Sequence, residues 1–340
     1  MRSQRSVFFR AVITIVLSGP VLTNSVGADS RTSSLRGEAV AGYSQGIEVD
    51  PSDFEAPRTR GLLAAAGAPR RFATLTGLDA PVSAIHDPDQ DVYFVSNING
   101  AGTDKDNNGY IQRVTPDGRA VAGRFIEGGH KGVTLNAPKG LAILGNELWV
   151  ADIDVLRAFD RRTGKPTREA RLPWPGGLFL NGLAAGPDNA LYVTDTRLDF
   201  SRGAIHDGPD RVFRLGRNGI VTIVFEGDLE APSGIAWDAA NQQFLIASLQ
   251  GKHIYAWRPE KKTAAPVWTG VGGYDGIVVD GARWIVSSLD GNGIYEIING
   301  RETKVIADLT TPATIGYDAR RKRLLIPSFD GNTLQIWIFN

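Results

Sequence analysis

Cysteine is absent from all 340 residues. No disulfide framework can support the fold, and attachment of a lipid through an N-terminal cysteine is excluded. A net charge is also absent, with 37 basic residues against 37 acidic ones. That balance argues against nucleic acid or an anionic membrane surface held by bulk charge. Long periodic helical stretches are few. There is no Gly-x-Ser-x-Gly elbow, no His-Glu-x-x-His pair, no phosphate loop and no dinucleotide fingerprint. The fold must therefore hold by core burial alone, which a chain of this size can manage.

What is present begins with a targeting signature. Arg2, Arg5 and Arg10 precede the apolar run Ala11 to Leu22, and Val26-Gly27-Ala28 offers small residues for cleavage. The run is too short for a comfortable membrane span. Residues 1–28 are expected to be a cleavable signal peptide, with the mature protein periplasmic or secreted. An uncleaved anchor is the alternative. Residues 29–70 are rich in Ser, Gly, Ala, Arg and Pro without periodicity, and read as a linker or poorly ordered arm.

From residue 71 the chain repeats itself. Six phrases align: "PVSAIHD" at Pro81, "PKGLAIL" at Pro138, "LNGLAAG" at Leu180, "PSGIAWD" at Pro232, "YDGIVVD" at Tyr274 and "PATIGYD" at Pro312. Each is followed by further short runs rich in Val, Ile and aromatics, separated by Gly, Asp, Asn and Pro. That is strand and turn chemistry. Equivalent positions (Ser83, Gly140, Gly182, Gly234, Gly276, Thr314) recur every 38 to 57 residues, the length of a four-stranded propeller blade. The fold class is therefore all-β, a six-bladed β-propeller over residues 71–340. The sixth copy ends after three strands, while "RFATLTGLDAP" from Arg71 resembles the tail of another copy, "TIVFEGDLEAP" from Thr222. Phe72 to Thr76 should supply the missing outer strand and close the ring.

Strands in a blade alternate in direction, so the start of the first and the end of the second share one face. Two columns of side chains meet there. Asn97, Asp152, Asp195, Ser248, Ser288 and Ser328 end the second strands. Their similarity from blade to blade points to turn chemistry, with Asp152 and Asp195 satisfying backbone amides. Val82, Lys139, Asn181, Ser233, Asp275 and Ala313 form the other column and vary as site residues do. Asn181, Ser233 and Asp275 should form an arc on consecutive blades, with Lys139 and Tyr274 beside it. A carboxylate at a channel mouth needs a cation, donors or water. A water-filled channel without a specific ligand is the bland alternative.

Insertions fall on the same face. One runs from Asn97 to Tyr110, another from Thr196 to Asp210 and carries Arg197 and His206, and a blade-joining loop adds His130. Arg197, His130 and His206 are candidate substrate contacts, and histidine is the usual acid/base residue; His253 also lies on this side. "DKDNNGYI" places Asp104, Asp106 and Asn108 at the first three ligand positions of a calcium loop, with Gly at the sixth. Thr115 stands where the bidentate Glu belongs, and a hydrophilic turn is the competing reading.

At "NGLAAGPDNALYVTDT" and "SGIAWDAANQQFLIAS" the chain resembles the gluconolactonase/regucalcin (senescence marker protein) superfamily of six-bladed propellers, with NHL-like repeat phrasing. The resemblance covers about 270 residues and is more specific for fold than for activity. It implies a lactonase holding one divalent metal, calcium first among candidates, at the channel mouth. The family's ligands are a Glu of the first blade, an Asn of the fourth and an Asp of the fifth, with an Asn of the third near substrate or water. Asp275 matches the Asp, which also serves as general base, and Asn181 matches the third-blade Asn. Ser233 stands in place of the ligand Asn, and Val82 in place of the Glu. The implied metal set is thus Asn181, Ser233 and Asp275. The expected function is metal-dependent hydrolysis of a lactone or related ester by a monomer acting on a small molecule. The alternative is a non-catalytic propeller binding a small molecule or protein on that face.

Overall fold

The structure, a computed structural model, describes residues 67–121, 123–173, 179–199, 205–206 and 208–340. The expected signal segment and most of the expected linker lie outside the described residues. The six aligned phrases form the first strands of six blades: Pro81–Asp87, Pro138–Leu144, Leu180–Ala185, Pro232–Asp238, Tyr274–Asp280 and Gly316–Asp318. Each blade is a four-stranded antiparallel sheet, and no helix occurs among the described residues. Every first strand touches the first strands of the blades on both sides, so these strands ring a central axis. A parallel bridge between Ser83 and Thr314 joins the sixth blade to the first.

The ring closes as the repeat count requires. Arg70–Thr76 pairs antiparallel with Thr333–Ile338 as the outer strand of the sixth blade. The ladder shifts register between Arg71 and Ala73, and the Phe72 ring lies under the Arg323 guanidinium at 3.8 Å.

The core is divided in the same way. A blade is one sheet with two apolar faces, so each face must be buried against a neighbouring blade. Six apolar clusters fill the six blade-to-blade interfaces. Phe94, Ile111, Leu148 and Val150 meet between blades one and two, for example, and Tyr93, Val95, Leu325 and Ile336 between blades six and one. Alternation along the strands supplies both faces at once.

One local irregularity aims the site. In five blades the ladder between first and second strands breaks after the opening residue, skipping two positions: 82–83, 139–140, 181–182, 233–234 and 275–276. These are the variable column and the residue after it. A break of this kind bends the strand and re-aims a side chain. The following glycine permits it by letting neighbouring backbones approach. A Cβ on Gly140 would lie 2.2 Å from the Asn181 carbonyl, and one on Gly182 would lie 2.2 Å from the Ser233 carbonyl.

Candidate functional site at the channel mouth

The two columns separate as their sequence patterns suggest. Each second-strand terminal residue holds the backbone of the loop entering its own blade. Asn97 Oδ1 accepts from the Asp79 amide at 3.3 Å, and Asp195 Oδ1 from that of Phe179 at 2.9 Å. Asp152 accepts from the Asn136 and Ala137 amides and from Arg157 Nε at 2.6 Å. The serines donate instead: Ser248 to Leu229 O, Ser288 to Gly272 O and Ser328 to Thr310 O. This column is structural.

A second set of hydroxyls went unread in the sequence. Ser96, Thr194 and Ser287 precede the terminal column in alternate blades. Each accepts from a first-strand amide of its own blade (Ser83, Gly182, Gly276) and donates to a mouth carbonyl of the next blade (Lys139, Ser233, Ala313) at 2.6–2.8 Å. The amides freed by the ladder break thereby find partners, as buried amides must. The signal was available, since a hydroxyl recurs in blades one, three and five while Ala151, Ala247 and Pro327 occupy the others.

Asp275, on the fifth blade, ends the variable column's polar arc. It is only 4% exposed. Its Oδ1 accepts from Ser233 Oγ at 2.8 Å and from Thr314 Oγ1 at 3.0 Å. Its Oδ2 has no hydrogen-bond partner, and no cation faces it, among the described residues. Burial pushes the carboxyl up to about 6, against the two hydroxyls that hold it down. Thr314 was missed as a site residue. It occupies the repeat position that is glycine in four blades, and a side chain there reaches the neighbouring blade. Asn181, two blades back, is 6% exposed, and its carboxamide makes no hydrogen bond among the described residues. An amide buried this far is normally paired.

The other candidates are placed differently. Lys139 is 2% exposed, but its ammonium turns away from Asp275. It donates to Gly102 O at 2.8 Å and Ala137 O at 3.1 Å and stacks over Phe179. Burial brings it down to about 8, opposed by Asp152 and Asp154. Lys139 thus ties down the first-blade insertion, helped by Lys105 on Asp154 at 2.6 Å. Tyr274, expected beside the pocket, is fully buried between the fourth and fifth blades, and its phenol donates to Glu302 on an outer strand. With its phenol spent on the outer-strand Glu302, Tyr274 does not line the mouth. Its own sequence neighbour explains the difference: the ladder break turns Asp275 to the axis and leaves Tyr274 facing the interface.

His130 is exposed on the blade-joining loop at the rim. The His206 backbone pairs with Leu198 in a two-residue hairpin on the same face. The Arg197 amide donates to Asp195 Oδ1 at 3.3 Å, and its guanidinium packs on Gly208. His253 Nδ1 lies 2.6 Å from Glu230 Oε2. The hydrogen bonds of Asp275 go instead to Ser233 and Thr314. In the possible calcium loop the Asn108 amide donates to Asp106 Oδ2 at 2.6 Å, and burial raises the Asp106 carboxyl. No third Asp, Glu or His gathers with Asp104 and Asp106 among the described residues.

The mouth's donors fit a divalent cation poorly. Calcium takes six to eight oxygens, usually with several carboxylates. Here one carboxylate and one carboxamide are available, and the Ser233 and Thr314 hydroxyls already point their protons at Asp275. At the position of the implied Glu, Val82 packs in an apolar cluster with Ile98, Ala137 and Ile153.

Fold and site together define a six-bladed β-propeller with an acid buried at the mouth of its axis. Solved structures of similar fold carry varied names. A gluconolactonase from Xanthomonas campestris, described as important in glucose secondary metabolic pathways, superposes with a TM-score of 0.60 at 18% identity, covering 81% of this chain and 96% of that one. A catalytically inactive virginiamycin B lyase from Staphylococcus aureus, with quinupristin, gives 0.54 at 16%, covering 80% and 99%. A chain of a nidogen/laminin complex gives 0.52 at 15%, covering 71% and 91%. These likenesses support the propeller fold. No protein-family profile and no curated protein matches the chain.

Proposed function

We propose that the protein is an exported propeller that hydrolyses a lactone or related ester at the channel mouth. The observation that carries this is Asp275: a buried carboxyl with one oxygen held by two hydroxyls and the other without a partner among the described residues. A base that titrates near neutrality is suited to proton transfer at working pH. Its Oδ2 takes a proton from water as the water oxygen bonds to the acyl carbon. The Asn181 carboxamide donates to the carbonyl oxygen as it gains charge. The acyl–oxygen bond then breaks, and the departing oxygen takes the proton from Asp275, leaving a hydroxy acid. The gluconolactonase likeness supports the substrate class at the level of fold only.

The test is hydrolysis of glucono-1,5-lactone and a panel of aliphatic lactones by the full chain and by Asp275→Asn. Turnover that falls at least a hundredfold in the variant supports the reading. Equal turnover in both proteins ends it. Saturable lactone binding without turnover moves the protein to the alternative, a binding propeller using the same mouth. Export is tested separately by N-terminal sequencing of the mature protein, with a start near Asp29 expected.

A further inference from the structure

We propose that this mouth works without a divalent cation, the Ser233 and Thr314 hydroxyls fixing Asp275 in the way a bound metal otherwise would. The inference rests on the mouth being the site, and it departs from what the family resemblance implies.

Three observations carry it. First, the carboxylate is already oriented. Hydroxyls from the blades on either side, four and six, converge on Oδ1 at 2.8 and 3.0 Å. A metal bound through Ser233 would gain only a neutral hydroxyl oxygen, which adds no charge to the single carboxylate. Second, the charge at the mouth is small. One carboxylate and the neutral Asn181 amide leave a divalent ion under-neutralised and mostly hydrated. The nearest other charge in the column is a lysine. Third, the first-blade position is closed to a ligand. Val82 is buried among Ile98, Ala137 and Ile153, with Ala80 and Phe329 packed around them. An acid there would be buried in apolar surroundings without a partner. The unpartnered Asn181 amide and Asp275 Oδ2 are then complementary to an organic ligand, the amide offering both a donor and an acceptor and the carboxylate an acceptor. A carbonyl compound with an adjacent hydroxyl, or a carbonyl and its attacking water, satisfies both groups.

The experiment is calorimetric titration of the full chain with calcium chloride and with manganese chloride, beside Asp275→Asn. Superimposable isotherms, with no site tighter than ~1 mM at the mouth, are expected, given that even weak extracellular calcium modules bind at about that level. Ion binding tighter than ~1 mM in the wild type that disappears in Asp275→Asn overturns the proposal. Binding retained in Asp275→Asn lies elsewhere on the chain and supports it. If Asp275→Asn fails to fold, Asn181→Ala carries the same comparison. An absence of lactone turnover alongside superimposable isotherms would defeat the proposed function and leave this inference standing.

Discussion

Asp275 illustrates how a single ionisable group can be read in two ways. Its carboxyl, normally near 3.8, is raised to about 6 by burial. The folded state therefore holds that proton more tightly than the unfolded chain. Stability from this group is fully present below about pH 4, is lost as the pH rises to about 6, and stays lost above. With about 1.4 kcal/mol per pKa unit, the cost at neutral pH is about 3 kcal/mol. Asp275→Asn should therefore melt higher than wild type at pH 7.5 and no higher at pH 4. An unchanged difference between the two pH values would mean that the carboxyl is not perturbed. On the proposed function the base must be ionised, so lactone hydrolysis should rise through about pH 6 and level off. Ser233→Ala or Thr314→Val each removes a donor that stabilises the ionised form. Either should move that limb to higher pH, and Thr314→Ser should leave it in place. Asp275 and Asn181 were legible in the sequence because they broke a repeat. Thr314 broke it too, at a glycine position, yet its reach into the next blade depends on how closely the first strands pack. Tyr274 misled because adjacency in sequence does not survive a ladder break.

At the scale of the element, the second-strand ends show what repetition means. The hydrogen bonds of this column hold each entering loop against its own blade, which is why the residue type hardly varies. Two of its members nevertheless differ in what they contribute. Asp152 accepts from two loop amides and forms a buried pair with Arg157. Asp195 accepts from the Phe179 and Arg197 amides through Oδ1, while its buried Oδ2 has no hydrogen-bond partner among the described residues. Asp152→Ala should cost about 3–5 kcal/mol, the usual result of breaking a buried pair. Asp195→Ala should cost less, about 1.5–3 kcal/mol, as for a lost hydrogen bond to a charged group. Chemical denaturation of both variants checks the order, and a larger loss for Asp195→Ala would reverse the assignment. Gly182→Ala should cost about 3 kcal/mol through overpacking, because its Cβ would meet the Ser233 carbonyl. The repeat phrases and strand order were legible because alternation and turn residues are local signals. The alternate-blade hydroxyl stitches were not, since they span two blades and show only once the ring is assembled.

At the scale of the molecule, closure joins Arg70–Thr76 to Thr333–Ile338, more than 250 residues along the chain. The arithmetic of three strands at one end and one at the other made this legible beforehand. Deleting residues 70–76 should bare the edge of the last sheet. Light scattering should then show concentration-dependent association and a lower melting temperature; a monomer melting as wild type would contradict the closure. The strand made first among the described ones has no partner until the strand at Thr333 has been made. During synthesis the early blades must wait with their outer faces uncovered, and the first blade lacks the neighbour that buries Tyr93 and Val95. A ribosome that stops anywhere before Thr333 therefore releases an open fan of sheets, with sticky faces at both ends, that quality control can recognise and destroy. Translation of this gene product is in that sense all or nothing.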